Sequence, residues 1–358
     1  MPTRHPSSLP TAIALLLSVG AAQAQVPPPG DGAETLSDAY PGKAYSPYAG
    51  RNFPSRPFWG DTHLHTALSM DAGAFGNRLG LDEAYRFARG DEVTTSTGQP
   101  ARLSRPLDWL VVADHSDNVG FFPDLLAGKR HILSDPKGKE WYDRIQGGDG
   151  VNVALEIIGL FSQGKFPEAL MYTPDSAPYK SAWAGTIDAA ERYNNPGKFT
   201  AFIGYEWTSN TGGMNLHRVV IFRDGGTKAS MVLPFTTVAP LGSDNPVELW
   251  SWLQAYEDRT GGQILAIAHN GNLSNGIMFP LKKTNFGEKI DADYAGLRAR
   301  WEPLYEATQI KGDGEAHPLL SPDDEFADYE TWDQGNLDLS AAKEEEMLPY
   351  EYMRSALQ

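Results

Sequence analysis

The chain has 358 residues and is 41% hydrophobic, enough to bury a substantial core in one large α/β domain or two smaller ones. A net charge of −16 argues against a nucleic-acid partner, which needs a Lys/Arg surface to neutralise phosphates, but leaves room for a local basic pocket. With no cysteine, disulfides, zinc–thiolate sites and cysteine nucleophiles are excluded.

In chain order, Arg4 and His5 precede an apolar stretch from Ala12 to Ala22, and Ala22-Gln23-Ala24 has the small-x-small form of a cleavage site. The apolar run is shorter than the roughly 20 residues of a membrane-spanning helix. Residues 1–24 are therefore expected to be a signal peptide. The mature protein is expected to start near Gln25, without a membrane anchor, in the periplasm or outside the cell. Residues 25–55, rich in Pro, Gly, Ser and Tyr, read as an extended leader, and the main domain is expected from 56 to 358.

Within that domain, Leu107–Ala113, Phe199–Gly204, Val219–Phe222 and Gln263–Ala268 are short apolar runs of buried-strand type, with Pro57–Thr62 a weaker candidate. Helical patterns lie between them. In Pro246–Arg259, Asn245 can cap, Pro246 takes the first helical position and Gly261 follows the end. Residues 118–198 carry few strand signals and are too long for a simple loop, so a helical insertion covering the site is expected. The acidic runs Asp323-Asp324-Glu325 and Glu344-Glu345-Glu346 read as solvated faces.

Chemistry concentrates where the apolar runs end. Trp59-Gly60-Asp61-Thr62-His63-Leu64-His65 closes in a His-x-His pair, and side chains at i and i+2 of a strand project to one face, so His63 and His65 can grip one metal ion. The pair alone is weak evidence; its repetition elsewhere is what makes the case. Leu110–Ala113 runs into Asp114-His115, Ala201–Tyr205 into Glu206, and Ile264–Ala268 into His269. In a parallel α/β barrel, strand carboxyl ends converge on one rim, where active sites sit. His217 opens Val219–Phe222 after the turn Thr211-Gly212-Gly213, so a hairpin would return it beside Glu206. Asp61 has the parity to orient an imidazole; Asp114 and Asp117 either do the same or are surface acids. Asp71 depends on a loop conformation. His131 and His317, outside the apolar runs, read as ordinary hydrogen-bonded histidines. Gly159–Lys165 has phosphate-loop spacing, but Phe166 replaces the Ser/Thr that would bind magnesium and no strand precedes it.

Asp61-Thr62-His63-Leu64-His65-Thr66, Ala113-Asp114-His115, Gly204-Tyr205-Glu206, His217 and Ala268-His269 together resemble the successive motifs of the polymerase-and-histidinol-phosphatase (PHP) superfamily. Phe58–His63 and Gly204–Thr208 resemble an exported bacterial branch catalogued as domain of unknown function 3604. The resemblance implies a distorted (βα)7 barrel holding two or three Zn, Mn or Fe ions that cleaves phosphate esters with a metal-bridged hydroxide. It further implies that His63, His65 and Glu206 hold one ion, that Glu206 bridges to a second completed by His217 and His269, and that Asp71 and His115 hold a third. The family's closing Asp-x-His has no counterpart after His269, and Glu351–Gln358 looks like a helix cut short, so a barrel incomplete at its C-terminus is expected. Lys311, after an expected strand Leu304–Ile310, and Arg218 are candidate clamps for a small phosphate ester. The rival readings are an amidohydrolase, which also begins with His-x-His, and a non-catalytic exported protein with a partial metal site.

Overall fold

The computed structural model describes residues 56–357, so the expected signal peptide and the whole expected leader lie outside the described residues. In chain order the elements are β1 (Gly60–Leu64), α1 (Met70–Ala74), α2 (Leu81–Ala88), a small hairpin of β2 (Val93–Thr94) and β3 (Pro100–Ala101), and β4 (Trp109–Val112). A helical stretch follows: α3 (Phe121–Leu126), α4 (Arg130–Leu133), α5 (Pro136–Gln146), α6 (Gly150–Ser162) and α7 (Ala177–Tyr193). Next come β5 (Thr200–Trp207), a tight hairpin of β6 (Asn210–Thr211) and β7 (Met214–Asn215), β8 (Arg218–Phe222), α8 (Gly226–Ala229) and α9 (Pro246–Thr260). The last elements are β9 (Ile264–Ala268), α10 (Ala292–Trp301), β10 (Leu304–Tyr305), a hairpin of β11 (Thr308–Gln309) and β12 (Gly312–Asp313), and α11 (Met353–Ala356).

One curled six-stranded sheet, in the order β1-β4-β5-β8-β9-β10, organises this mixed α/β domain as a half-barrel. The pairs β1–β4, β4–β5 and β9–β10 are parallel, whereas β8 runs antiparallel to both β5 and β9. The sheet is therefore mixed, and it departs at β8 from the arrangement of a parallel α/β barrel. The cause is local: the Thr211-Gly212-Gly213 turn reverses the chain within a few residues, too few for the crossover a parallel neighbour requires. Reversal brings the start of β8 beside the end of β5, with Glu206 paired to Val219.

Alternation along the strands sorts the side chains. Leu110, Val112, Ile203, Tyr205, Val220 and Phe222 pack outward against the helices in a core that includes Trp183, Leu249, Trp250, Leu253 and Tyr256. Val111, Ala113 and Val219 fill the inside of the curl, with Phe202 and Ile221 packed on them. Both faces are buried, which is why the strands read as continuous apolar runs. Helix α9 begins as its sequence requires, with the Asn245 side chain accepting from the Val247 N–H and Pro246 in the first turn, and it ends at Gly261 with φ 61°.

The helices of residues 118–198 build a second core around Phe121, Trp141, Phe166, Tyr172 and Tyr179, and Met70 of α1 packs into it. The Gly159–Lys165 segment starts inside α6, on no strand-to-helix turn. The expected strand Leu304–Ile310 is broken in two: Leu304–Tyr305 joins the main sheet, and Thr308–Gln309 pairs with Gly312–Asp313. Gly312 belongs to the hairpin that follows the break. Its φ of +108° permits the tight reversal, and a Cβ there would lie 2.8 Å from the Glu330 carbonyl. Ile310 and Lys311 become a hairpin tip. No helix among the described residues is long and apolar enough to cross a membrane.

Candidate metal centre

The ends of β1, β4, β5, β9 and β10 and the start of β8 meet on one side of the sheet, each delivering a nitrogen or oxygen donor. Glu206 shares parity with Phe202, so its carboxylate points into the curl, where it is 1% exposed. Five imidazoles surround it. Oε2 lies 3.0 Å from His65 Nε2, 3.1 Å from His115 Nε2 and 3.4 Å from His63 Nε2. Oε1 lies 2.6 Å from His217 Nδ1 and 2.8 Å from His269 Nε2. The two oxygens thus face different sets of histidines.

The next layer fixes these rings. His65 Nδ1 is 2.6 Å from Ser69 Oγ, which donates to Asp71 Oδ1 at 3.0 Å. Asp71 is also 3.4 Å from His65, 3.9 Å from His115 and, through Oδ2, 4.0 Å from Lys311 Nζ. Asp114 is buried and accepts from the Thr66 N–H at 2.6 Å and the Thr66 hydroxyl at 2.7 Å, pinning the turn after His65 to the end of β4. Asp117 accepts from Thr237 N–H and Oγ1 at 2.9 and 2.8 Å. Neither acid lies on the surface. Asp61 accepts from the backbone N–H of His63 at 2.7 Å and holds the main chain, not an imidazole.

Glu306 was absent from the expected set. It follows β10, its N–H continues the ladder to the Ala268 carbonyl at 3.1 Å, and its Oε2 sits 2.6 Å from His63 Nδ1. Among the described residues, four groups have donor atoms all within 4.8 Å of one another: His63/His65/Glu206, His63/His269/Glu306, His65/Asp71/His115 and His115/Glu206/His217. The first has the residues that the resemblance assigns to one ion, and the third adds His65 to the pair Asp71 and His115. His217 and His269, which the resemblance assigns to one ion, both touch Glu206 Oε1 but fall into different groups.

Burial and charge oppose each other here. Burial works against an imidazolium at His63, but the Glu206 and Glu306 carboxylates outweigh it and push this group up to about 10. His115 is also raised, since Glu206 and Asp71 overcome its desolvation. Burial pulls His217 down to about 4 and His269, next to His63, down to about 3, so both are neutral, as metal ligands must be. Glu206 stays ionised: burial pushes its carboxyl up, and the surrounding histidines hold it well below its ordinary range.

The donor set fits divalent ions on an independent ground. Among the described residues, His65 Nε2, which faces Glu206 Oε2 at 3.0 Å, is buried without a hydrogen bond, a costly condition for an imidazole nitrogen that a bound cation would relieve. These His and carboxylate groups can hold a metal ion.

Of the two candidate clamps, Lys311 reaches the centre from the hairpin tip. Arg218 does not. Strand alternation turns it away from His217 toward the helices, where it is 1% exposed, donates from Nε to Glu302 Oε1 at 2.9 Å, also bonds the Leu216 carbonyl and lies over the Trp207 ring. Its donors are engaged in the core. His131 bonds Tyr172 Oη at 2.5 Å and His317 faces Asp333 at 3.1 Å; neither joins the centre.

A curled mixed sheet that gathers a buried His/Glu cluster at its strand ends defines a chain able to hold metal. Residues 52–358 match the model of a family described as "Protein of unknown function (DUF3604)", and the chain belongs to that family. No curated protein matches the chain.

Proposed function

We propose that this protein is a metal-dependent phosphoesterase of the PHP type, its half-barrel corresponding to part of that superfamily's barrel, acting on a small anionic substrate. The observation that carries the reading is Glu206, one buried carboxylate whose two oxygens face separate sets of histidines, as a bridge between two ions would. Two or three divalent ions, of Zn, Mn or Fe type, would supply an activated water and offset charge on the phosphoryl oxygens.

The chain's own residues do the rest. Ser69 and Glu306 each engage an imidazole Nδ1, of His65 and His63 respectively, which leaves Nε2 of those rings turned toward Glu206. Lys311, an ammonium on a flexible stem, stands at the edge of the cluster where it can pair with a non-bridging phosphoryl oxygen. Asp114, through Thr66, keeps the turn after His65 in register with the end of β4. The acidic net charge fits a single small anion better than a nucleic acid.

The test is release of phosphate from a panel of phosphate monoesters and diesters by protein supplied with Mn, Zn or Fe, beside a Glu206→Gln variant. Metal-dependent turnover that falls by about a thousandfold or more in the variant supports the reading. Equal turnover in both proteins, or none in either, contradicts it.

A further inference from the structure

The cleft that opens onto His63 and His65 has a volume of about 680 Å³, far more than a phosphoryl group needs and within the roughly 300–1,000 Å³ of small-molecule sites. Its lining outside the metal cluster is uneven. Phe75, just beyond α1, and Ile310, at the tip of the β11–β12 hairpin, both line it and are 54% and 97% exposed. Trp109 lines it as well. One exposed apolar residue needs no explanation, but apolar residues from separate segments sharing a cleft with candidate metal ligands mark a place where something apolar is covered.

The charges in the same cleft limit what else the ligand carries. Lys311 is the one Lys or Arg among the described residues that line it, and Asp61, Asp71 and Glu306 line it too. Beyond the ions that Asp71 and Glu306 would hold, Lys311 is the one side-chain cation of this lining and Asp61 adds a negative charge, so the side chains offer a cationic contact to one phosphoryl group. Ile310 and Lys311 are neighbours on one turn, which sets the apolar contact directly beside the cation.

From this arrangement we infer that the substrate is a phosphate monoester of an apolar or aromatic alcohol. Its phosphoryl group lies at Lys311 and the metal ligands, and its organic group lies against Phe75 and Ile310. The inference rests on the phosphoesterase reading and narrows it to a leaving-group class.

Binding of non-hydrolysable phosphonates separates the two ideas. The metal-loaded full chain would be titrated calorimetrically with phenylphosphonate and with methylphosphonate. Phenylphosphonate is expected to bind about tenfold tighter, the gain of covering one aromatic ring. In the double variant F75A/I310S the ratio is expected to fall to near one, with methylphosphonate affinity unchanged. Equal affinities in the native protein, no binding of either ligand, or a preference that survives in the double variant would overturn the inference. If the phosphonate preference holds but no ester is turned over, the apolar subsite stands and the hydrolase reading fails. Turnover of esters with no phenyl preference leaves the hydrolase and removes the subsite.

Discussion

Glu306 Oε2 lies 2.6 Å from His63 Nδ1, while the Nε2 of the same ring faces Glu206 Oε2 at 3.4 Å, so two carboxylates, one in β5 and one just after β10, grip one imidazole from β1. This links the two edge strands of the sheet through a single side chain. Glu306 either orients His63 or joins it on an ion with His269. Both roles give the same first prediction: Glu306→Ala weakens metal binding by about 10–100-fold, the usual effect of losing a group that orients a ligand. Competition against a fluorescent chelator reads this out. Unchanged affinity would remove Glu306 from the centre.

Lys311 carries the second prediction. It stands 4.0 Å from Asp71 and touches no histidine of the cluster by a bond. Lys311→Met is expected to leave metal content intact and to raise KM for a phosphate ester about 10–100-fold, the worth of one hydrogen bond to a charged group. Steady-state kinetics with parallel elemental analysis checks it. A drop in metal content would make Lys311 structural; an unaltered KM would end its role as a clamp.

A third prediction concerns stability. Glu302 accepts from Arg218 Nε at 2.9 Å and Trp250 Nε1 at 2.8 Å, and lies 3.2 Å from Arg298. Burial pushes its carboxyl up, but the Arg218 and Arg298 guanidinium groups outweigh that and hold it below the ordinary 4.5. A folded-state value below the unfolded one means the ionised group stabilises the fold above about pH 4.5, and this contribution fades as pH falls through the lower folded value. Glu302→Gln leaves Arg218 buried without its carboxylate, so it is expected to cost about 3 kcal/mol near neutral pH. The difference from the native chain is expected to shrink as pH falls below the ordinary 4.5. Urea unfolding midpoints at the two pH values test this; a gap that widens on acidification contradicts it.

Much of the centre was legible because donors closing apolar runs have few places to go. His63, His65, His115, Glu206 and His269 end strands whose apolar residues fill both faces of the sheet, and the convergence of strand ends on one side follows from that. The turn at Thr211-Gly212-Gly213 signalled that His217 returns beside Glu206, yet the antiparallel course of β8 that this implies was outweighed by the barrel pattern. Arg218 looked like a clamp only while its parity was ignored: residues 218, 220 and 222 face the helices, so an arginine next to a ligand is turned out of the site. Glu306 was hidden because β10 spans only Leu304–Tyr305, too short for a period-two pattern, and Ala307–Ile310 extended the apparent run past it. Its signal was the same one that marked Glu206, a carboxylate directly after an apolar pair. Asp114 and Asp117 could be placed only by long-range contacts with Thr66 and Thr237, which no local pattern encodes.

The most direct test of the account is the metal content of the purified protein, measured by elemental mass spectrometry beside a His269→Ala variant, in which a buried ligand is removed. Two or more divalent ions per chain in the native protein, with at least one lost in the variant, is the predicted result. One ion or none in the native protein, or a content that the variant leaves unchanged, would contradict a multi-metal centre built around Glu206.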